Sequence, residues 1–341
     1  MPLRLTYSSR EFHFNFHAKT SRGPLSSRRC WFIELEDLDS PGFIGRGEVA
    51  PLHGLSPETP EQVEKELRSL QAWAGNSLSN HDEPPEISSS VRFGLEMAKA
   101  ELKSRTKGVF FDSPFLRGAP LPINGLVWMN DIEGMKMQAL EKVQAGHQCI
   151  KFKVGGLDFK EEVRLLAWVR DQQWGSGLTI RLDANGAFGP DDVFEKLERF
   201  AAFDIHSIEQ PVRAGQYDLM KEVCFRSPIP VALDEELINI SRRDKEVLIG
   251  GLRPDYLVLK PSLHGGLSGT MDWVDIAIRQ EIGWWITSSL ESPLGLSALA
   301  QFTSSLNVAL PQGLGTGQIY SDAGENLTYI SNGALFLKQF Q

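Results

Sequence analysis

The chain has 341 residues, of which 41% are hydrophobic and 23% are charged, and its formal net charge is −9 at pH 7. This length is enough for one large barrel plus a smaller domain, and the acidity argues against nucleic acid or an anionic membrane surface as the partner. Three widely spaced cysteines disfavour a disulfide framework or a zinc site, and no apolar run reaches the ~20 residues of a membrane helix, so we expect a cytoplasmic protein.

The first 118 residues are predicted to form an α+β unit. EFHFNFH alternates polar and apolar residues, as a half-buried strand does, and CWFIELED indicates a second strand. SRGPLSSRR between them is expected to be a loop. A helix is predicted to begin near Ser56 or Thr59, either of which could be its N-cap, and SVRFGLEMAKAELKSR indicates a second, amphipathic helix.

From residue 119 onward, short strand-like runs alternate with helical stretches. Eight runs have this character: PINGLVWM, CIKFKV, LTIRLDA, IHSIEQPV, PVALDEEL, DYLVLKPS, WWITSSLES and NVALPQGLG. Strands that alternate with helices in this way indicate a (β/α) barrel. NLTYISNGALFLKQF, near the C-terminus, is predicted to be strand and turn and to pack back on the N-terminal unit.

Charged residues follow the apolar runs of four consecutive predicted strands. Asp183, Glu209, Asp234 and Lys260 are spaced 25 or 26 residues apart, which is about one strand-helix unit per step. They should therefore lie at the same height, at the carboxyl ends of the barrel strands, where barrel enzymes carry their chemistry. Any one of these residues alone is more often a loop anchor or a helix cap, so the prediction depends on their common register.

Three carboxylates at one barrel mouth would repel one another unless a cation lay between them. Oxygen ligands without Cys or His favour a hard ion, with Mg²⁺ as the first choice and Mn²⁺ as the second. Lys151 and Lys153 lie on the predicted strand before the one that carries Asp183, so a closed barrel would set them opposite Lys260. Near a divalent cation and a second ammonium the pKa of a lysine falls, which suits it to act as a general base.

This chemistry suggests a carboxylate substrate that binds the cation and presents its α-proton to one lysine. Loss of that proton would give an enediolate, which the cation and the opposite ammonium would stabilise.

The motifs KFK, RLDAN, IEQP, ALDEE and LKPSLHGG resemble the enolase superfamily, specifically its muconate-lactonizing subgroup. The resemblance covers nearly the whole chain. It implies an α/β fold with a modified (β/α)7β barrel at residues 119–317 and a capping domain at residues 1–118, completed by residues 318–341. GRGEVAPLHGLSPET resembles the capping-domain loop that closes over the barrel mouth, and SSSVRFGLEMAKAEL resembles the helix that follows it.

Site residues follow from this resemblance position by position. The metal ligands would be Asp183, Glu209 and Asp234, and the acid/base pair would be Lys153 and Lys260. Further residues would contact the substrate or support the site: Lys151, which would touch the substrate carboxylate and tune Lys153, with Asn185, Glu235, Ser288, Ser289 and Arg181.

Within the subgroup, ITSSLESPLG, RLDANGAF and GLGTG are most similar to the o-succinylbenzoate synthase family of menaquinone biosynthesis. The resemblance implies a syn dehydration of 2-succinyl-6-hydroxy-2,4-cyclohexadiene-1-carboxylate. Lys153 would remove the α-proton and then protonate the departing hydroxyl, while Lys260 would stabilise the enediolate. Ser288 and Ser289 could hold the succinyl arm, or could make ordinary hydrogen bonds at a strand end.

Several alternatives stay open at this point. N-Succinylamino acid racemases and dipeptide epimerases use the same metal and lysines, although LGTGQIY lacks the acidic pair that usually holds a dipeptide's ammonium group. GLGTG could instead be a phosphate-binding loop, and a non-enzymatic metal-binding protein is a further, weaker reading. His264 is expected to hydrogen-bond locally rather than to act in catalysis.

Overall fold

The computed structural model describes residues 2–20, 23–76 and 84–338. The N-terminal unit is a three-stranded antiparallel sheet covered by two helices. Its elements are β1 (Leu3–Thr20), β2 (Gly23–Asp37), β3 (Ile44–Val49), α1 (Pro60–Asn76) and α2 (Ser89–Ser104).

The prediction of a loop at residues 21–29 is wrong for most of this segment. Residues 23–29 belong to β2, which pairs with β1 as far as Thr20 and Gly23, with a register shift between His13 and Ala18. The two strands stay paired beyond the segments in which apolar and polar residues alternate, because backbone hydrogen bonds do not require apolar side chains. Residues 21 and 22 lie outside the described residues.

The two helices pack on one face of this sheet. Thr59 Oγ1 accepts a hydrogen bond from the backbone N–H of Gln62 at 3.3 Å, so Thr59 caps α1 as one of the two predicted alternatives. Strand β3 and helix α2 approach closely at two glycines, since a Cβ on Gly47 would lie 1.8 Å from the carbonyl oxygen of Gly94.

The larger unit is a parallel sheet that curls into a barrel. A short strand β4 (Leu121–Pro122) precedes it. Seven neighbouring strands make the sheet, in chain order: β5 (Gly125–Val127), β6 (Cys149–Lys153), β7 (Thr179–Asp183), β8 (Ile205–Glu209), β9 (Val231–Leu233), β10 (Tyr256–Leu259) and β11 (Gly283–Ile286). The helices between and after them are α3 (Ile132–Gln144), α4 (Phe159–Asp171), α5 (Val193–Ala201), α6 (Tyr217–Arg226), α7 (Lys245–Leu252), α8 (Gly266–Arg279) and α9 (Pro293–Ser305).

The eighth predicted strand, NVALPQGLG, closes the ring without forming a regular strand. Gln312 bridges to Ile123 and Gly313 bridges to Thr287, in each case in the parallel sense. Pro311 has no N–H to donate, which limits how far the ladder can extend. The barrel therefore has seven strands and one closing segment, and the predicted (β/α)7β fold is confirmed.

After the barrel, β12 (Thr328–Ser331) and β13 (Ala334–Leu337) form a hairpin that pairs with β4. Just before it, Ser321 donates its backbone N–H to the carbonyl of His13 at 2.9 Å, and Asn15 donates to that of Ile319 at 2.9 Å. The C-terminal segment thus contacts both units. The domain limits 1–118, 119–317 and 318–341 stay a prediction, and residues 339–341 lie outside the described part.

Within the described residues, every helix is too short or too polar to cross a lipid bilayer.

Candidate active site

The charged residues predicted at strand ends do lie together at the carboxyl ends of the barrel strands. Lys153, Asp183 and Glu209 are the last residues of β6, β7 and β8, and they stand side by side in the strand register. Asp234 and Lys260 come directly after β9 and β10. Parallel strands that end at one height bring these five side chains to the same rim.

Each carboxylate at this rim contacts a lysine. Lys153 Nζ lies 2.7 Å from Asp183 Oδ2. Lys151 Nζ lies 3.1 Å from the same oxygen and 2.8 Å from Glu209 Oε2, and Lys260 Nζ donates a hydrogen bond to an Asp234 oxygen. All of these side chains are buried or nearly so, hence their charges interact with little screening by water.

Burial and charge shift the pKa values of the acids in opposite directions. Burial raises the pKa of Glu209 to about 8, helped by the neighbouring Asp183 carboxylate. Burial also acts on Asp183, but the ammonium groups of Lys151 and Lys153 outweigh it and lower the pKa of this carboxyl. The pKa of Asp234 is lowered as well, because Lys260 outweighs the effect of burial.

For two of the lysines, neighbouring carboxylates outweigh the effect of burial on the pKa. Burial disfavours the charged form of Lys151, but Asp183 and Glu209 outweigh it and raise its pKa. For Lys260, Asp234 and then Glu235 overcome burial and raise the pKa. The lowered lysine pKa expected from the sequence belongs to a site that contains a divalent cation, and it stays a prediction.

Asn185 links Lys153 to a fourth acid. Lys153 Nζ donates to Asn185 Oδ1 at 2.6 Å, and Asn185 Nδ2 donates to Glu235 Oε1 at 3.1 Å. Asn185 has a φ of +46°, in the left-handed region that asparagine tolerates better than most residues. Both residues predicted as polar support are thus in contact with the lysines or with each other, and Glu235 is buried.

The donor set suits a hard divalent cation in chemical type. Glu209 Oε1 and Asp234 Oδ1 are buried and have no hydrogen-bond partner within the described residues, and oxygens of this kind are the ligands that Mg²⁺ prefers. The coordination geometry is not preformed. In residues 2–20, 23–76 and 84–338, no group of three or more His, Cys, Asp and Glu side chains is arranged to hold a metal ion. The carboxylates face the lysines instead, so their predicted role as metal ligands stays a prediction.

A cavity of about 110 Å³ opens above this rim. One part of its lining is charged and belongs to the barrel. Another part is apolar and comes partly from the segment after β3, where Leu52, His53 and Leu55 reach over the barrel mouth as expected for a capping loop. The remaining lining includes Leu126, Trp128, Leu290, Thr287, Ser288, Ser289 and Thr316.

The two predicted serines differ in their contacts. Ser288 Oγ donates to Glu291 Oε2 at 2.6 Å and accepts from the backbone N–H of Leu290 at 2.9 Å, so it is engaged in holding the turn. Ser289 Oγ and Thr316 Oγ1 are buried and have no partner in the described part of the chain, although both residues line the cavity. A bound ligand could therefore satisfy Ser289 and Thr316.

Arg181 lies below the rim rather than in the cavity lining. It pairs in register with Lys151, its guanidinium carbon is 3.9 Å from the centre of the Trp285 ring, and NH1 donates to the Pro311 carbonyl at 2.8 Å. Burial lowers its pKa. Its predicted supporting role stays a prediction.

Some cavity residues could not be found by sequence reasoning. Leu52 and Trp128 are ordinary apolar residues, and only the docking of the cap on the barrel brings them to one cavity. Thr316 lies in GLGTG, whose family resemblance and possible role as a phosphate-binding loop assign no function to this threonine. His264 behaves as expected, since its Nδ1 accepts a hydrogen bond from the backbone N–H of Lys260 at 3.0 Å.

Comparison with known families gives two matches along the chain. Residues 134–334 match the family described as Enolase C-terminal domain-like. Residues 19–102 match the family described as MenC, N-terminal domain.

Among curated proteins, o-succinylbenzoate synthase from Desulfotalea psychrophila is 39% identical, over 94% of this chain and 95% of the relative. o-Succinylbenzoate synthase from Vibrio cholerae is 28% identical, over 83% of this chain and 80% of the relative. L-Ala-D/L-Glu epimerase from Bacillus subtilis is 24% identical, over 77% of this chain and 75% of the relative.

Solved structures have the same fold. The crystal structure of MenC from Desulfotalea psychrophila has a TM-score of 0.87 and 35% identity, covering 99% of this chain and 100% of that one. A dipeptide epimerase from Cytophaga hutchinsonii, complexed with Mg and a dipeptide, has a TM-score of 0.83 and 21% identity, covering 99% and 94%.

Proposed function

The chain belongs to the enolase superfamily and, within it, to the o-succinylbenzoate synthase family, and from this membership we propose that it is a hydro-lyase. The reaction is the syn dehydration of 2-succinyl-6-hydroxy-2,4-cyclohexadiene-1-carboxylate to o-succinylbenzoate, a step of menaquinone biosynthesis. The observation that carries the proposal is the 39% identity to an o-succinylbenzoate synthase over 94% of the chain.

The barrel geometry supports opposite positions for the two lysines. Lys153 ends β6 and Lys260 follows β10, so three strands lie between them in the sheet. The ring has seven strands and one closing segment, so β10, the fourth strand from β6, lies on the opposite side of the barrel. A substrate between them would therefore have one lysine on each face.

Lys153 is the proposed base. In its neutral form it accepts the proton from the carbon next to the ring carboxylate, and the resulting ammonium then gives that proton to the departing hydroxyl, which leaves as water. One group on one face can serve both steps, as a syn elimination requires. Lys153 is held for this role by Asp183 and Asn185, which both accept hydrogen bonds from its Nζ.

Lys260 stabilises the negative charge that develops on the substrate carboxylate and exchanges no proton with it. Lys151 is placed to contact the same carboxylate. A divalent cation held by Asp183, Glu209 and Asp234 would supply Lewis-acid stabilisation of that charge, with Mg²⁺ as the proposed ion and Mn²⁺ as a substitute.

The cavity lining also suits the succinyl arm. Ser289 and Thr316 offer its terminal carboxylate buried hydroxyls that have no partner among the described residues. Leu52, Leu126 and Trp128 offer apolar surface to the six-membered ring. An unpartnered buried hydroxyl costs free energy, and a ligand that satisfies it recovers that cost.

N-Succinylamino acid racemisation is the second candidate, because two lysines on opposite faces can each exchange a proton with the same carbon. A dipeptide is less suitable. The cavity lining at residues 313–316 carries no acid to pair with an ammonium group, and the described acids in the lining, Asp183 and Glu235, belong to the lysine cluster.

The test is a pair of assays on the purified protein with Mg²⁺. Formation of o-succinylbenzoate is followed by its ultraviolet absorbance, and racemisation of N-succinylamino acids is followed beside it. Dehydration with a higher kcat/KM than racemisation supports the proposal. Racemisation without dehydration would replace it with the second candidate.

We also propose a cytoplasmic location for the enzyme. Its support is that Cys30, Cys149 and Cys224 are all free thiols, as a reducing compartment favours.

A further inference from the structure

Arg28 of the capping unit joins two segments that line the cavity. Its side chain is buried, and its guanidinium donates to the carbonyls of Ser289 and Leu290, the latter at 2.7 Å, in the turn after β11. The same guanidinium donates to the carbonyl of Pro51 at 3.3 Å and to that of Ala50, just before Leu52. One side chain thus links the capping segment to the barrel turn.

The barrel turn needs such support because of its backbone. Leu290 has a φ of +64°, in the left-handed region that costs free energy for a residue with a Cβ. Its carbonyl accepts hydrogen bonds from Arg28 and also from the Tyr320 hydroxyl, at 2.6 Å. Two donors from outside the barrel therefore hold this strained peptide in place.

Residues of this barrel turn also form part of the cavity wall. Ser289 and Leu290 line the cavity on the barrel side, and Leu52 lines it on the capping side. The Ser289 hydroxyl has no partner within residues 2–20, 23–76 and 84–338. Leu52, Leu290 and Ile319 pack together as one small apolar cluster with Tyr320 against it. Arg28 therefore connects the two walls of the cavity through hydrogen bonds.

We propose that Arg28 is a positioning residue for substrate specificity: through the Ser289 and Leu290 carbonyls it fixes the wall that receives the remote carboxylate. The inference deepens the proposed function and rests on it for the identity of the ligand. A guanidinium is suited to this task, since its N–H groups point in several fixed directions in one plane, whereas a lysine ammonium cannot reach four carbonyls in the same geometry.

The test compares Arg28→Lys with Arg46→Lys. Arg46 is also a capping-unit arginine in a sheet, but it pairs with Glu101 inside that unit, at 3.0 Å from Nε, and lies outside the cavity lining. For Arg28→Lys we expect KM to rise by about tenfold and kcat to change by less than about threefold, because a displaced wall weakens the substrate's hydrogen bond to Ser289 and leaves the reacting groups in place. For Arg46→Lys we expect KM to stay at the wild-type value.

Tyr320→Phe is the second variant, in case Arg28→Lys does not fold. It removes only the hydroxyl that donates to Leu290, so KM should rise by a smaller factor, about twofold to fivefold. An unchanged KM in the folded variants, or a loss confined to kcat, would overturn the proposal.

A measurement without turnover separates this inference from the proposed function. The backbone amides of Ser289 and Leu290 donate to Glu291 and Ser288, at 2.8 and 2.9 Å, so hydrogen–deuterium exchange reports the order of the turn. If the wild type forms no o-succinylbenzoate, the proposed function fails. Faster exchange of these amides in Arg28→Lys than in Arg46→Lys still supports the positioning role, and equal exchange overturns it.

Discussion

Lys153 and Asp183 are direct partners in the parallel pairing of β6 and β7, and their side chains meet with Nζ 2.7 Å from Oδ2. The same register sets Glu209 beside Asp183 on the next strand. The reactive rim of the barrel is thus a consequence of strand length. Adding or removing one residue within β6 would turn Lys153 away from the pocket, because successive strand residues face opposite sides.

Replacing Lys260 with Ala should lower kcat by about a hundredfold to a thousandfold, since the variant loses the ammonium that stabilises the developing negative charge. The measurement is steady-state formation of o-succinylbenzoate. Lys245→Ala is the matched control, because Lys245 is also buried but donates to the Gly269 carbonyl at 2.6 Å, away from the cavity. Equal kcat values in the two folded variants would rule out the role given to Lys260.

Chelation with EDTA should abolish dehydration, and added Mg²⁺ or Mn²⁺ should restore it. A cation would balance the negative charge of the three carboxylates and favour the ionised form of Glu209, whose pKa is raised to about 8 by burial and then by the neighbouring Asp183 carboxylate. Asp234→Asn should weaken Mg²⁺ binding in calorimetry, with circular dichroism as the check on folding. Full activity after exhaustive chelation would refute the cation site.

Ser289→Ala and Thr316→Val should each raise KM by about tenfold while kcat changes little, because each removes a hydroxyl proposed to bind the remote carboxylate. Ser305→Ala is the control, since the Ser305 hydroxyl donates to the Phe302 carbonyl at 2.7 Å within α9. The prediction fails if neither cavity variant differs from Ser305→Ala in KM.

Glu96 offers a pH-dependent test of how the two units are joined. Its carboxylate on α2 accepts the backbone N–H groups of Leu267 and Ser268 at the first turn of α8, and burial raises its pKa despite these hydrogen bonds. A carboxyl whose pKa is higher in the folded state than in the unfolded state stabilises the protein at low pH, and this stability is lost as the pH rises through the folded-state pKa.

We therefore expect the free energy of unfolding of the wild type, relative to Glu96→Gln, to be most favourable below the ordinary carboxyl pKa of about 4.3 and to decline above it. Urea unfolding of both proteins between pH 4 and 8 measures this difference. A difference that grows with pH would show that the helix amides, rather than burial, dominate at Glu96.

The barrel and its charged rim could be predicted because both follow from local patterns. Strand length fixes where Asp183 and Glu209 stand, and one strand-helix unit per step brings Asp234 and Lys260 to the same height. The sequence predicts a full strand at the closing segment, but Gln312 and Gly313 form only isolated parallel bridges beside Pro311.

The cavity walls could not be predicted in the same detail. Arg28, Leu52 and Thr316 are far apart in the sequence, and no periodic pattern marks them. They share a cavity or a turn only because the capping unit docks on the barrel, which is a property of the tertiary structure. The strained φ of Leu290 likewise has no signal in SSLES.

The most direct test of the account is the rate of dehydration by Lys153→Ala, measured by ultraviolet absorbance beside the wild type, with circular dichroism and Mg²⁺ binding as checks on the variant. Lys153 is proposed both to remove the α-proton and to protonate the hydroxyl. Its loss should therefore lower kcat by about a hundredfold to ten-thousandfold in a protein that still folds and binds Mg²⁺. A folded, Mg²⁺-binding Lys153→Ala that forms o-succinylbenzoate at a rate near that of the wild type would contradict the account.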